Sequence, residues 1–338
     1  MFNENYRTVD EIEWEGRIDS ETNFDAFRWH QWIKSIDLRD EKLTPYTGKL
    51  GIAFIGFCCD EGIRRNKGRA GAVNGPKSIR KELSGLPCAF KKDLELFDAG
   101  NVFCENISLE ESQSLLSEAV DKILSLNLFP IVLGGGHEVA FGHYKGILSN
   151  LLKSESKPNI GIINFDAHFD IRPYENGGTS GTMFRQISDI CKEKDLKYDY
   201  FCMGIQKHSN TVELFKTADK LNVKYILAKH ISQNNIFDQL DELDNFIKDQ
   251  EHIYITVCSD VFSSAFAPGV SASQSLGLDP EIVLKFIKHI LRSNKVISFD
   301  IAEVSPRFDQ DNNTANLAAV IIFSIVTALA KINNLSYY

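Results

Sequence analysis

A chain of 338 residues, 43% of them hydrophobic and 25% charged, carries enough apolar material for a substantial core, which excludes a disordered or fibrous protein. Its formal net charge of -9, with no Lys/Arg-rich run interleaved with aromatics, gives a nucleic-acid backbone no electrostatic footprint, so no nucleic-acid partner is expected. The acidic N-terminus lacks the basic and apolar regions of a signal peptide, and seven cysteines without CxxC spacing read as reduced thiols, so the expected location is cytoplasmic, with no membrane partner.

In chain order, residues 1–48 stand apart. Trp14, Trp29 and Trp32 sit among acids and the segment ends in TPYTG, which predicts an N-terminal helical arm packed on one larger domain, 49–338. From Leu50 onward, short β-rich runs alternate with longer amphipathic stretches. The strand candidates begin at Gly51, Leu94, Leu128, Asn159, Tyr200, Val223, His252 and Lys295. Between them lie helical patterns such as SLEESQSLLSEAVDKILSL, where Ser108 and Glu111 have capping-box spacing. The pattern predicts an α/β fold with a parallel sheet covered by helices on both faces. The acidic stretch from Phe237 reads as a solvated helix face. The apolar run Leu317 to Ala330 falls short of the roughly 20 residues of a membrane span and reads as a buried helix.

Three segments carry chemistry. LGGGHEVAFGHY, from Leu133, follows an apolar strand with glycines and places His137 at the start of a helix; six residues on, His143 reads as a packing or surface histidine. NFDAHFD, Asn164 to Asp170, ends another strand with Asp166, His168 and Asp170 on alternate positions, so three ligands can converge beyond it. Carboxylate and imidazole donors at the C-terminal edge of a parallel sheet suit a divalent transition metal. TVCSDVFSSAFAPGVSA, from Thr256, closes a third strand with Asp260.

GGGH, DAHFD and the strand-D-APG segment, in this order and spacing, resemble the signature motifs of the arginase, agmatinase and formimidoylglutamase superfamily. NGPKSIRKEL from Asn74 and DIAEVSP from Asp300 resemble two further elements of it. The resemblance covers roughly Leu50 to the C-terminus. It implies a three-layer α/β/α arginase-like fold with an eight-stranded, mostly parallel sheet, and a homo-oligomer, trimer or hexamer. It also implies two divalent metals, usually Mn²⁺, that acidify a water aimed at a planar amidine or guanidinium carbon. Carried over, His137 and Asp170 belong to one metal, His168 and Asp260 to the other, Asp166 bridges, and Glu303 faces the amidinium of the substrate.

The sequence departs from the family pattern at Cys258, where an aspartate ordinarily bridges both metals. A thiolate there suits Zn²⁺ or Fe²⁺, and a protonated thiol beside a single metal is equally compatible. Phe184 stands where arginases carry a histidine, and GTSGTMFRQI resembles formimidoylglutamases instead. The implied reaction is hydrolysis of N-formimidoyl-L-glutamate to L-glutamate and formamide, a step of histidine degradation. Arg172 and Arg185 are then natural anchors for the substrate's carboxylates, with surface salt bridges as the alternative for either. Gln206 and His208 are weaker pocket candidates. Two other readings stay open: hydrolysis of another guanidine or amidine, and a degenerate family member acting as a binding subunit, motivated by Cys258 and by Gly136.

Overall fold

The computed structural model describes residues 2–10 and 13–337. Met1, Glu11 and Ile12 of the N-terminal segment, and Tyr338 at the other end, lie outside the described residues. Among the described residues, the first 48 supply strands β1 (Tyr6–Arg7) and β2 (Lys34–Ser35), a short α-helix, α1 (Trp29–Trp32), and a 3-10 helix at Phe24–Ala26. Then follow β3 (Leu50–Cys58), α2 (Glu61–Arg65), α3 (Gly75–Ser84), β4 (Leu94–Phe103), α4 (Leu109–Ser125), β5 (Phe129–Leu133) and α5 (Val139–Leu151). Next come β6 (Ile160–Phe165), α6 (Met183–Glu193), β7 (Asp199–Ile205), α7 (Val212–Lys220), β8 (Lys224–Leu227) and α8 (Ile236–Lys248). The chain ends with β9 (His252–Cys258), α9 (Pro280–Leu291), β10 (Val296–Ala302) and α10 (Asn313–Ile332).

All eight strands expected from the hydrophobic runs form, and every pairing among them is parallel. The sheet nevertheless has ten strands rather than eight, because β1 and β2 both pair with β4, β1 antiparallel and β2 parallel. This also corrects the expected helical arm: the described part of the N-terminal segment is mostly irregular, held by ladder bonds and by its tryptophans. Trp14 and Trp29 are buried, and their indole N–H groups, like that of Trp32, donate to Asp98, Pro87 and Leu94 respectively. Sequence spacing could not reveal this, since two-residue strands are too short to show a period.

The strand order is β1-β4-β3-β5-β10-β9-β6-β7-β8. The chain builds outward from β3 in both directions and then inserts its last two strands between β5 and β6. One apolar layer joins the sheet to α3, α8, α9 and α10, the other to α4, α5, α6 and α7. The Ser108–Glu111 capping box opens α4, and α8 buries Leu243 and Phe246 while its acidic face points outward. Helix α10 is 20 residues long, longer than its apolar run suggested and long enough by length and composition to cross a membrane. Half of its most apolar window is buried, and it packs on α3 and α9 as a core helix.

Candidate metal centre

The insertion of β9 and β10 makes β5, β10, β9 and β6 consecutive, so the C-terminal ends of four parallel strands meet at one edge. After β5, the Gly134–Gly136 turn runs against neighbouring backbone. A Cβ on Gly135 would sit 1.9 Å from the Cys59 carbonyl oxygen, so no side chain fits there. The turn delivers His137 to the mouth of the sheet, and its backbone N–H donates to Glu303 Oε1 at 3.0 Å. Glu303 follows β10 directly and is tied back by its own N–H to the Gly135 carbonyl, 2.8 Å. Asp170 and Glu303 both have positive φ, 51° and 66°, a region disfavoured for non-glycine residues. Backbone strain held at two candidate functional residues is characteristic of a site built for chemistry.

His137 Nδ1 lies 2.9 Å from Asp166 Oδ2 and 3.1 Å from Asp170 Oδ2. His168 Nδ1 lies 3.4 Å from Asp166 Oδ1 and 3.2 Å from Asp260 Oδ2. Ligand atoms of His137, Asp166 and Cys258 lie within 4.8 Å of one another, and so do those of Asp166, His168 and Asp260. Asp166 is common to both groups. Its carboxylate is fully buried, oriented by the His168 backbone N–H at 2.7 Å and the Asn164 amide at 3.2 Å.

A second layer fixes the tautomer of His137. Thr256 Oγ1 donates its only proton to Asp300 Oδ1, 2.6 Å, so it accepts from His137 Nε2–H, 2.9 Å. The Nδ1 lone pair then faces two carboxylate oxygens, an arrangement that a proton or a metal cation on Nδ1 must relieve. Asp260 Oδ1 and Glu303 Oε2 are also buried with no hydrogen-bond partner among the described residues. Imidazole nitrogens, convergent carboxylates and orphaned buried oxygens fit a divalent cation. This layer was missed in the sequence. Asp300 also accepts from Tyr254 and from His143, 2.6 Å, so His143 is a buried prop beneath the site rather than a surface residue. The period-2 signal was available: Tyr254, Thr256 and Cys258 share one face of β9, in register with Ser298, Asp300 and Ala302 of β10.

The electrostatics state the same demand. Burial lowers the proton affinity of His137 and His168, but bonds and charges from Asp166 with Asp170, and from Asp260 with Asp166, outweigh it and raise both well above the ordinary imidazole range. Asp166 feels burial upward, yet the two histidines hold it below the usual carboxylate range. Asp170 is pushed up to about 6 by burial and by the charge of Asp166. Burial first, then nearby carboxylates, raise Cys258 and Glu303 well above their usual values. The edge holds more anionic groups than it can neutralise from within.

Above it opens a cavity of about 330 Å³ whose lining includes His137, His168, Asp170, Cys258, Asp260 and Glu303 at the floor and Arg172 at the wall. Arg185 does not line it; on α6 it lies 3.7 Å from Asp189, the helical ion pair that was its alternative. Gln206 and His208 instead hold the 274–276 loop, donating to the Leu276 carbonyl and meeting Gln274. Phe184 is buried, its ring edge-on to His137 at 5.7 Å and stacked on Tyr200 at 4.3 Å, an apolar wall for the imidazole.

The arginase-family model matches residues 50–328. The chain is 70% identical over 336 residues to the formimidoylglutamase of Clostridium tetani, covering 99% of each, and 42% identical over 325 residues to that of Lysinibacillus sphaericus, covering 96% of this chain and 98% of the other. Among solved structures, the Bacillus subtilis formimidoylglutamase superposes with a TM-score of 0.78 at 24% identity, covering 96% of this chain and 97% of that one. The Trypanosoma cruzi formiminoglutamase with Mn²⁺ gives 0.73 at 23% identity, covering 85% and 97%. These two likenesses concern the fold.

Proposed function

The chain belongs to the arginase family, and from that premise we propose that it hydrolyses N-formimidoyl-L-glutamate to L-glutamate and formamide, with its chemistry at the β5–β10–β9–β6 edge. It is a metallohydrolase acting on the C–N bond of a linear amidine, in histidine degradation. The observation that carries the substrate is the 70% identity to a formimidoylglutamase along 99% of both chains.

His137, Asp166, His168, Asp170 and Asp260 would hold the metal, with Asp166 shared between two positions, as the two overlapping ligand groups suggest. Manganese is the expected ion, given the oxygen and imidazole donors and the Mn²⁺ form of a protein of the same fold. Cys258 would complete the His137–Asp166 group; its burial among carboxylates favours the neutral thiol, and only a cation in direct contact makes it a thiolate ligand. When bound, the cations acidify a water and supply it as nucleophile at neutral pH.

The remaining work falls to this chain's own side chains. Glu303, reaching the cavity with one oxygen unpartnered, would pair with the amidinium and hold its carbon over the floor. Arg172 at the wall would bind a substrate carboxylate. Addition of water to the amidine carbon and protonation of the departing nitrogen break the C–N bond, releasing glutamate's amine and formamide. The test is to supply the purified protein with Mn²⁺, Zn²⁺ or Fe²⁺ and measure formamide and glutamate from N-formimidoyl-L-glutamate. Equimolar formation of both is expected, and release of neither product under any metal sinks the reading.

A further inference from the structure

The cavity wall brings together three cations, Lys67, Arg69 and Arg172. Arg69 is already committed: Nε donates to the Ser271 carbonyl at 2.9 Å, Nη2 to the Val270 carbonyl at 2.7 Å, and its guanidinium lies 4.3 Å from the centre of the Phe308 ring. It braces the 270–271 loop. Arg172 is anchored through its backbone N–H to the Gly181 carbonyl, 2.9 Å, while its guanidinium makes no hydrogen bond or ion pair with any described residue. The Lys67 ammonium is in the same condition.

Lys67 stands where the fold does not call for a lysine. It follows the last turn of α2 with φ 61°, and the N–H of Gly68 closes the turn on the Ile63 carbonyl at 2.8 Å. A left-handed position just past a helix is ordinarily filled by glycine or asparagine, which take that conformation with less strain. A long cationic side chain is held there instead, exposed and unpaired, on the rim of an anionic site. Glu303, which lines the floor with one oxygen unpartnered, takes the amidinium end, so the carboxylates of the same substrate face the wall, where positive charge suits them.

We propose that Lys67 is a specificity-determining residue: its ammonium binds one of the substrate's two carboxylates while Arg172 binds the other, so that the pair selects a dicarboxylate amidine. This rests on the reading of the substrate given above. The floor histidines are taken up by Asp166, Asp170 and Asp260, and Arg69 is held by its carbonyl partners, so among the described residues lining the cavity Lys67 and Arg172 are the cations left for the substrate.

The experiment compares wild type, Lys67→Asn and Lys67→Arg, each with metal restored, on N-formimidoyl-L-glutamate and on two analogues. N-formimidoyl-4-aminobutyrate lacks the α-carboxylate, and N-formimidoyl-L-alanine lacks the distal one. Asparagine tolerates the left-handed backbone, so Lys67→Asn is expected to melt no lower than wild type. Its KM for the dicarboxylate should rise about ten-fold or more while kcat changes little, since one ionic contact is removed from ground and transition states alike. Its preference for the dicarboxylate over one of the two analogues should fall by a similar factor, and Lys67→Arg should restore most of both.

An unchanged KM in Lys67→Asn overturns the proposal, and so does an equal rise for the dicarboxylate and both analogues, which would mark a general loss of field or of structure. If Lys67→Asn is less stable than wild type, the arginine variant decides: restored stability without restored preference also overturns it. Wild-type protein that fails on the dicarboxylate while hydrolysing another amidine would instead remove the substrate reading on which the proposal stands.

Discussion

Two buried polar clusters lie on this sheet, and they are built on opposite terms. Beside β4, the Arg80 guanidinium is fully buried and every one of its donors is met: Asp98 takes two at 2.7 and 3.0 Å, the Gly100 carbonyl one at 2.8 Å, Asn101 one at 2.6 Å and Glu13 one at 3.5 Å. Asp98 also accepts from the Trp14 indole, 2.7 Å, so the cluster fastens the N-terminal segment to the sheet. At the C-terminal edge, Asp166, Asp170, Asp260, Glu303 and Cys258 converge on two imidazoles, and Asp260 and Glu303 each leave an oxygen unpartnered. A closed network of matched charge is structure. An open one with surplus negative charge is a receptor for cations, and the difference is visible in hydrogen-bond partners more than in burial, which the two share.

The largest effect that would test this contrast is at its anionic end: Asp166→Asn is expected to lower kcat/KM for N-formimidoyl-L-glutamate by roughly 10³-fold or more, with near-native circular dichroism. Retention of substantial activity would break the assignment of Asp166 as the shared ligand. Next, Arg80→Met should cost about 3–5 kcal/mol in denaturant unfolding, because Asp98 is left buried without its partner, while activity per folded molecule changes little. An Arg80 variant of full stability but low activity would reverse the roles of the two clusters.

Metal linkage sharpens the comparison further. Free Mn²⁺ at a hundred times its dissociation constant should stabilise wild type by about 2.7 kcal/mol, and the Arg80 variant by as much, whereas Asp166→Asn should show little gain. Thermal melts across a chelator-to-metal series would read it out, and equal gains in all three would place the stabilising metal elsewhere.

The smallest expected effect is in pH. Glu138 is fully buried, with one oxygen accepting from the Gly62 N–H at 2.8 Å and the other unpartnered, and burial first, then the charge of Asp60, push its pKa from 4.5 up to about 8. The folded state therefore binds the proton more tightly than the unfolded state, so this contribution to stability is fully present below pH 4.5 and lost as pH rises towards 8. In chelated protein, Glu138→Gln should flatten the decline of unfolding free energy across that window. Parallel slopes for variant and wild type would contradict it.

The sequence by itself determined the eight long strands, the helices that alternate with them, and the set His137, Asp166, His168, Asp170, Asp260 and Glu303 that the structure brings to one edge. The elements and the trio Asp166, His168 and Asp170 were legible because each signal is local: hydrophobic period fixes an element, and alternate polar residues at a strand end converge beyond it. His137, Asp260 and Glu303 were legible through the resemblance of their segments to the family's motifs. Tertiary structure alone decided the rest. The two-residue strands β1 and β2 exist only because β4 offers them a partner. Arg80 and Asp98, 18 positions apart, become a matched pair only where α3 packs against the sheet. Arg172 and Arg185 look alike in sequence, and their separation into a cavity wall and a helix surface follows from where α6 starts. Thr256 and Asp300 become the support of His137 through the register of β9 and β10. In each case the deciding neighbour is distant in the chain, and packing rather than local propensity chooses it.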